Sequence, residues 1–185
     1  MSKQNIVIEK AKPEDAAKIT RIQRVVWLNI YPNDKYNISF EDVRQRLKGK
    51  NGQQIGIRTE MWKNRIEKTD SNHGIFVAKY SNDIVGFLAV SKEENKNNLQ
   101  AIHVLPDKQK TGTGGLLIEK AIKWFDNDNN IYVIVVSYNK NAIEFYRHYG
   151  FKKSDKYIED KFAQENGWIE FPKIEMVLIK NDKLY

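Results

Sequence analysis

Apolar positions recur with one period in the first third of the chain and with another after it. Ile6-Val7-Ile8-Glu9 reads as a short first strand. Pro13 suits the first turn of a helix, with Glu14 and Asp15 at its positive end. Ala16, Ile19, Ile22, Val26 and Trp27 then recur at helical spacing until Pro32-Asn33-Asp34 breaks the pattern. Ser39-Phe40-Glu41-Asp42 has the form of a capping box and opens a second helix toward Leu47, ended by Gly49 and Gly52. A third helix is predicted over about 54–68, with Ile57, Met61 and Ile66 facing inward.

Beyond it the pattern turns to strands. Residues 74–80 and 84–91 are apolar and β-prone, and the turn cluster Ser81-Asn82-Asp83 between them predicts an antiparallel hairpin. Residues 92–98 are polar and read as a loop; residues 99–105 read as a strand closed by Pro106-Asp107. Gln109-Lys110-Thr111-Gly112-Thr113-Gly114-Gly115 then leads into an amphipathic helix with Leu117, Ala121, Trp124 and Phe125 on one face. Residues 131–136 are almost wholly apolar, the pattern of a strand buried on both faces. A helix over 139–149 is stopped by Gly150, and 151–158 and 174–179 are predicted as two final strands. No repeat or linker interrupts this order, so one α/β domain is expected over residues 1–185.

Composition narrows the chemistry. A chain of 185 residues, 41% hydrophobic and 30% charged, suits one soluble domain. No apolar run approaches the roughly 20 residues of a membrane span, and residues 1–10 carry no signal-peptide pattern, so a cytoplasmic protein without membrane contact is expected. The absence of cysteine excludes disulfides, thiolate metal sites and a cysteine nucleophile together. His73, His103 and His148 lie far apart with no His-x-x-x-His pair, so no metal is expected. The formal charge of +7 attracts polyanions in general. It is spread along the chain and mixed with acids, as in Lys92-Glu93-Glu94, so it reads as solvated surface rather than a nucleic-acid face.

One strand–loop–helix carries a chemical signal. Backbone N–H groups at a helix start have no internal partner and carry partial positive charge. Gly112 and Gly114 lack a Cβ, which lets a phosphate come close, and Lys108 and Lys110 add charge. No Gly-Lys-Ser/Thr closes the loop, so it is not a nucleotide P-loop, and it lacks the third glycine of the dinucleotide fingerprint. A plain tight turn remains the alternative reading of the loop alone.

A second segment adds to it: Asn139-x-x-Ala142-x-x-Phe145-Tyr146-x-x-x-Gly150-Phe151, directly after the apolar strand. Together the two segments resemble the GNAT superfamily of acyl-CoA-dependent N-acetyltransferases, in the family's order and across nearly the whole chain. The resemblance implies a central mixed, mostly antiparallel sheet flanked by helices. It implies acetyl-CoA as co-substrate and an amine acceptor, either a small molecule or a peptide amine. Gln109, Lys110, Thr111, Gly112, Thr113 and Gly114 would hold the pyrophosphate. Ile102, His103 and Val104 would meet the pantetheine and the acetyl carbonyl through their main chain. Asn139 and Ala142 would border the pantetheine arm, and Tyr146 would stand near the thioester sulfur.

Most of these residues have a second, plainer role. Asn139 also suits a helix cap. His103 reads as a strand histidine facing solvent or a wet cleft rather than a base. Tyr146, a phenol protonated at neutral pH, suits a general acid for the leaving thiolate. Many relatives place a glutamate base where Asn98 stands here, which leaves deprotonation to water, to another carboxylate such as Glu60, or to solvent. Trp27 and Tyr31 lie where the family's first helices wall the acceptor site, Trp27 chiefly as core. A protein N-terminal or lysine acetyltransferase, and a CoA-sensing or nucleic-acid-binding module without turnover, are the rival readings. The oligomeric state stays open, a homodimer included.

Overall fold

The computed structural model describes residues 6–48 and 55–180. Strand β1 (Ile6–Lys10) leads through a short turn into α1 (Ala16–Ile30), then α2 (Phe40–Lys48) and α3 (Ile55–Glu67). Three long strands follow, β2 (His73–Tyr80), β3 (Asp83–Glu93) and β4 (Lys96–Val104). The rest alternates: α4 (Thr113–Trp124), β5 (Ile131–Val136), α5 (Lys140–His148), β6 (Lys152–Tyr157), α6 (Lys161–Asn166) and β7 (Lys173–Leu178). All seven strands form one sheet in the order β1-β2-β3-β4-β5-β7-β6. Every neighbouring pair is antiparallel except β4–β5, which α4 connects in parallel.

Each face of the sheet carries a core. On one face, Leu117, Ile118, Ala121 and Phe125 of α4 pack on Leu88, Leu99 and Ile131. On the other, Ile19, Ile22 and Val26 of α1 pack with Trp62 and Ile66 of α3 on Val77, Phe87 and Ala89. The predicted faces of α1 and α4 are the buried ones. On α3 they differ: Ile57 and Met61 are 55% and 39% exposed, while Trp62 faces inward at 2%. Trp62 stacks edge-on against Phe87 and donates its indole N–H to Gln23 Oε1 (3.0 Å), so the largest ring sets the helix rotation. The ends of the second and third predicted helices at Gly49, Gly52 and Gln54 lie outside the described residues.

Two strand expectations are also corrected. Residues 92–98 are not a loop; they close the β3–β4 hairpin. Asn97 is fully buried there, and its amide donates to Asn127 Oδ1 (2.7 Å) and Asn129 O (2.8 Å). Strand β5 is not buried on both faces, since Ile134 is 54% exposed.

The cause is a split in the middle of the sheet. Strands β4 and β5 are paired at Asn97↔Ile131, Asn98↔Tyr132 and Leu99↔Val133, and not beyond. On its other side β4 steps from Val90↔Leu99 to Ala89↔Ala101, so Gln100 is an extra, bulged residue. Such a bulge bends its strand, here where β4 parts from β5.

Candidate active site

The split opens a cleft of about 1190 Å³ between β4 and β5. That exceeds the usual range for small-ligand pockets, roughly 300–1,000 Å³. Its two ends differ in what lines them.

One end is made by the glycine loop. A turn at Pro106–Lys108 leads into the loop, where Lys110 and Gly112 take left-handed conformations at φ 61° and 89°. Gly112 is the residue before α4, and the first helical bond there runs from Leu116 N to Gly112 O (3.1 Å). The N–H groups of residues 112–115 are therefore left without a helical partner, at the positive end of the helix dipole. Thr111 and Thr113 brace the turn, hydroxyl to hydroxyl at 2.9 Å, and Thr111 donates to Lys108 O (2.7 Å). The next glycines serve packing. A Cβ on Gly114 would stand 3.3 Å from the Phe145 ring, and one on Gly115 would stand 2.8 Å from the Tyr149 hydroxyl, so α4 sits tightly against α5.

The exposed edge of β4 runs from this loop into the cleft. Main-chain groups of a strand point alternately to its two neighbours. Leu105 N donates to Val85 O (2.9 Å), and His103 O lies where a Cβ on Gly86 would come within 2.8 Å of it. His103 and Leu105 thus turn their main chain to β3, and Ile102 and Val104 turn theirs to the cleft. Of the three main-chain groups expected there, His103 is the exception. The Gln109 amide donates to Val104 O (3.1 Å) from the cleft side.

The far end is aromatic. Trp27, Tyr31, Trp62, His103, Tyr138 and Phe171 all line it. Trp27 and Tyr31 contact each other (5.1 Å between centroids), and Tyr31 meets Phe171 edge-on (5.2 Å). The Tyr138 hydroxyl donates to Tyr31 O (2.6 Å), tying α1 to the start of α5. Trp27 is half-buried and lines the cleft rather than serving the core alone. Its indole N–H donates to His103 Nε2 (3.4 Å), which makes that nitrogen the acceptor of the ring. Burial lowers the His103 pKa to about 4, so the imidazole is neutral at pH 7. Below lies an ionic cluster: Arg46 binds Asp160 through both guanidinium nitrogens (2.5 and 3.2 Å), and Lys173 reaches Asp160 Oδ1 (2.9 Å). Burial opposes ionisation of Asp160, but the hydrogen bonds and charges of Arg46 and Lys173 outweigh it and hold its pKa at about 2.

Tyr146 stands where the ends meet. It is 6% exposed, packed against Phe145 and Phe151, and it lines the cleft. Among the described residues no group hydrogen-bonds its hydroxyl. Burial first, and the neighbouring Tyr31 second, push its pKa up, so the phenol keeps its proton. Asn139 caps α5, its Oδ1 accepting from Ala142 N (3.1 Å), and both residues line the cleft. Ile102, Val104, Gln109, Lys110, Gly112 and Gly114 line it as well. Asn98, at the position of the family's glutamate, donates instead to Glu93 Oε1 (2.6 Å). Glu60 is exposed on α3 and does not line the cleft. The sequence reading missed Arg46, Arg65, Gln100, Tyr138 and Phe171. Of these only Tyr138, beside Asn139, had a local signal.

Solved structures of similar fold include acetyltransferases. The PaiA N-acetyltransferase of Thermoplasma acidophilum, in complex with coenzyme A, superposes with a TM-score of 0.74 at 20% identity, covering 94% of this chain and 98% of that one. The ribosomal-protein-S18-alanine N-acetyltransferase of Escherichia coli gives 0.61 at 17% identity, over 98% and 99% of the chains. YncA of Salmonella typhimurium, solved with acetyl-CoA, gives 0.63 at 14%, over 97% and 96%. No curated protein matches the chain by sequence. A family model described as the acetyltransferase (GNAT) domain matches residues 48–171, and the chain belongs to that family.

Proposed function

We propose that the chain transfers the acetyl group of acetyl-CoA directly to the primary amine of a small molecule, with Tyr146 as general acid. The observation that carries this reading is the position of Tyr146. A protonated phenol, free of protein hydrogen bonds among the described residues, stands between an anion-binding helix start and an aromatic pocket. The unpaired N–H groups of residues 112–115 would receive the pyrophosphate, with Lys110 beside them. The open edge of β4 at Ile102 and Val104 would bind the pantetheine amides and offer an N–H to the carbonyl oxygen as negative charge develops there. Trp27, Tyr31, Tyr138 and Phe171 would close around a small acceptor, which favours a small amine over a protein chain.

Transfer then needs no covalent enzyme intermediate. The neutral amine nitrogen attacks the thioester carbon, the carbon–sulfur bond breaks, and Tyr146 gives its proton to the departing sulfur; the nitrogen, cationic once bonded to carbon, sheds a proton that returns through water to the Tyr146 phenolate. Holding both reactants in one cleft removes much of the entropic barrier. His103 is a weak base with Nε2 already engaged, and Asn98 is no base at all, so the ammonium proton leaves to water.

Tyr146→Phe tests the assignment, because it removes the hydroxyl and keeps the ring. Acetyl-CoA affinity is expected to hold while the chemical step slows about 10²-fold, the usual scale for a lost general acid. The fall in rate at high pH should flatten. Wild-type turnover with an unchanged alkaline limb would remove Tyr146 from the mechanism.

A further inference from the structure

The aromatic end holds more positive charge than its acids neutralise. Arg46, Arg58, Arg65 and Lys173 all approach it, and Asp160 is the carboxylate among them. Asp160 is shared by Arg46 and Lys173. Arg58, behind the Trp27 ring at 5.7 Å, donates only to neutral oxygens: Leu47 O (3.2 Å), Gln23 Oε1 (3.3 Å) and Arg46 O (3.0 Å). Arg65 lies over the Trp62 ring at 4.5 Å and donates to Gln100 Oε1. Among the described residues neither Arg58 nor Arg65 has a carboxylate partner. Among the described residues the one carboxylate lining the cleft, Glu144, is on α5 at the glycine-loop end. Arg58 and Arg65 are both half-buried, and the Arg65–Gln100 contact is solvent-exposed, so Arg65 is within reach of a ligand anion that would supply the missing counter-charge.

Arg65 is also positioned. Its partner Gln100 is the bulged residue of β4, and the Gln100 amide is itself fixed by donating to Ser91 Oγ (3.0 Å). The bulge therefore aims Arg65 into the cleft, which Gln100 and Arg65 both line.

We infer that the acceptor is an amine that also carries a carboxylate or phosphate, bound by Arg65. This rests on the acetyltransferase reading above and specifies its substrate class. Ammonium groups are repelled by the same charges, so the pocket discriminates against diamines and polyamines and favours the neutral, reactive form of the amine it takes.

A matched pair tests it: 6-aminohexanoate against 1,5-diaminopentane. Both are measured for thiol release from acetyl-CoA and for thermal stabilisation of the protein saturated with CoA. Aminoacyl peptides with aspartate or glutamate at the second or third position, against the same peptides with lysine, separate a small-molecule from a peptide source of the anion. The expected result is at least tenfold higher kcat/KM, and a larger thermal shift, for the anionic member of each preferred pair. Arg65→Gln should abolish the preference mainly through KM, and Arg65→Lys should retain part of it. Equal or better use of the diamine, no shift with any anionic amine at millimolar concentration, or an unaltered preference in Arg65→Gln overturns the inference. Turnover confined to diamines leaves the acetyltransferase reading intact. No thermal response to acetyl-CoA and no thiol release with any acceptor defeats that reading itself.

Discussion

The glycine-loop end of the cleft is built from main chain, and the aromatic end from side chains. At the first, one continuous run supplies the helix start, the left-handed Gly112 and the edge of β4. At the second, α1, α2, α3, β4, the turn after β5 and the segment before β7 all contribute side chains. Main-chain recognition suits a ligand part common to a whole family, because it tolerates change in the side chains around it. Side-chain recognition assembled from distant segments can change one residue at a time, which suits it to the proposed acceptor pocket.

Asp160→Asn would strain this contrast most. It leaves Arg46 buried without a counter-charge, and breaking such a pair typically costs about 3–5 kcal/mol of stability. Urea denaturation should show that loss, while the affinity for acetyl-CoA of the folded fraction stays within a few-fold of wild type. A loss of cofactor affinity as large as the loss of stability would mean that the two ends are not separable.

Gly114→Asp acts at the other end. It sets a carboxylate beside the unpaired N–H groups and crowds Phe145. Acetyl-CoA raises the melting temperature of the wild type by mass action, and the variant should lose at least about 10² in affinity, about 2.7 kcal/mol of that stabilisation. An undiminished shift would exclude the loop as the pyrophosphate site.

The smallest effect is a pH dependence at the junction. His103 has a folded pKa of about 4, below its ordinary value of 6.5. The folded state thus binds the proton less readily than the unfolded chain. Its stabilising contribution is complete above pH 6.5 and is lost as pH falls toward 4. By pH 5 the loss is about 2 kcal/mol. His103→Gln should remove that slope from a stability–pH profile between pH 7 and 5, and an unchanged slope would place its origin elsewhere.

The same contrast explains what could be read from residue order. The buried faces of α1 and α4, the hairpin of β2 and β3, the cap at Asn139 and the helix stop at Gly150, which has φ 86°, follow from local periodicity and local stereochemistry. The failures share a physical cause: a long-range contact reversed a local signal. Asn97 is polar yet fully buried, because Asn127 and Asn129 accept both hydrogen bonds from its amide nitrogen, and so a strand read as a loop. Ile134 is apolar yet open, because β4 and β5 part before reaching it. Met61 yields the inward face of α3 to Trp62, whose partner Gln23 sits on another helix. Arg46 meets Asp160 across 114 positions of sequence, and no spacing rule reaches that far.

The order of strands has a further consequence, for how the protein is made. Strand β7 lies between β5 and β6, although both precede it in the chain. Until β7 emerges from the ribosome, β5 has only its three-position pairing with β4, and β6 has no strand partner in the sheet. The glycine loop and α5 are synthesised well before then, but the wall opposite β4 lacks its support. A nascent chain therefore exposes an unpaired apolar strand, Ile131–Val136, through the synthesis of β6 and α6. Insertion of β7 covers that edge and completes the cleft in one event, so ligand-binding competence arrives late and all at once during biosynthesis.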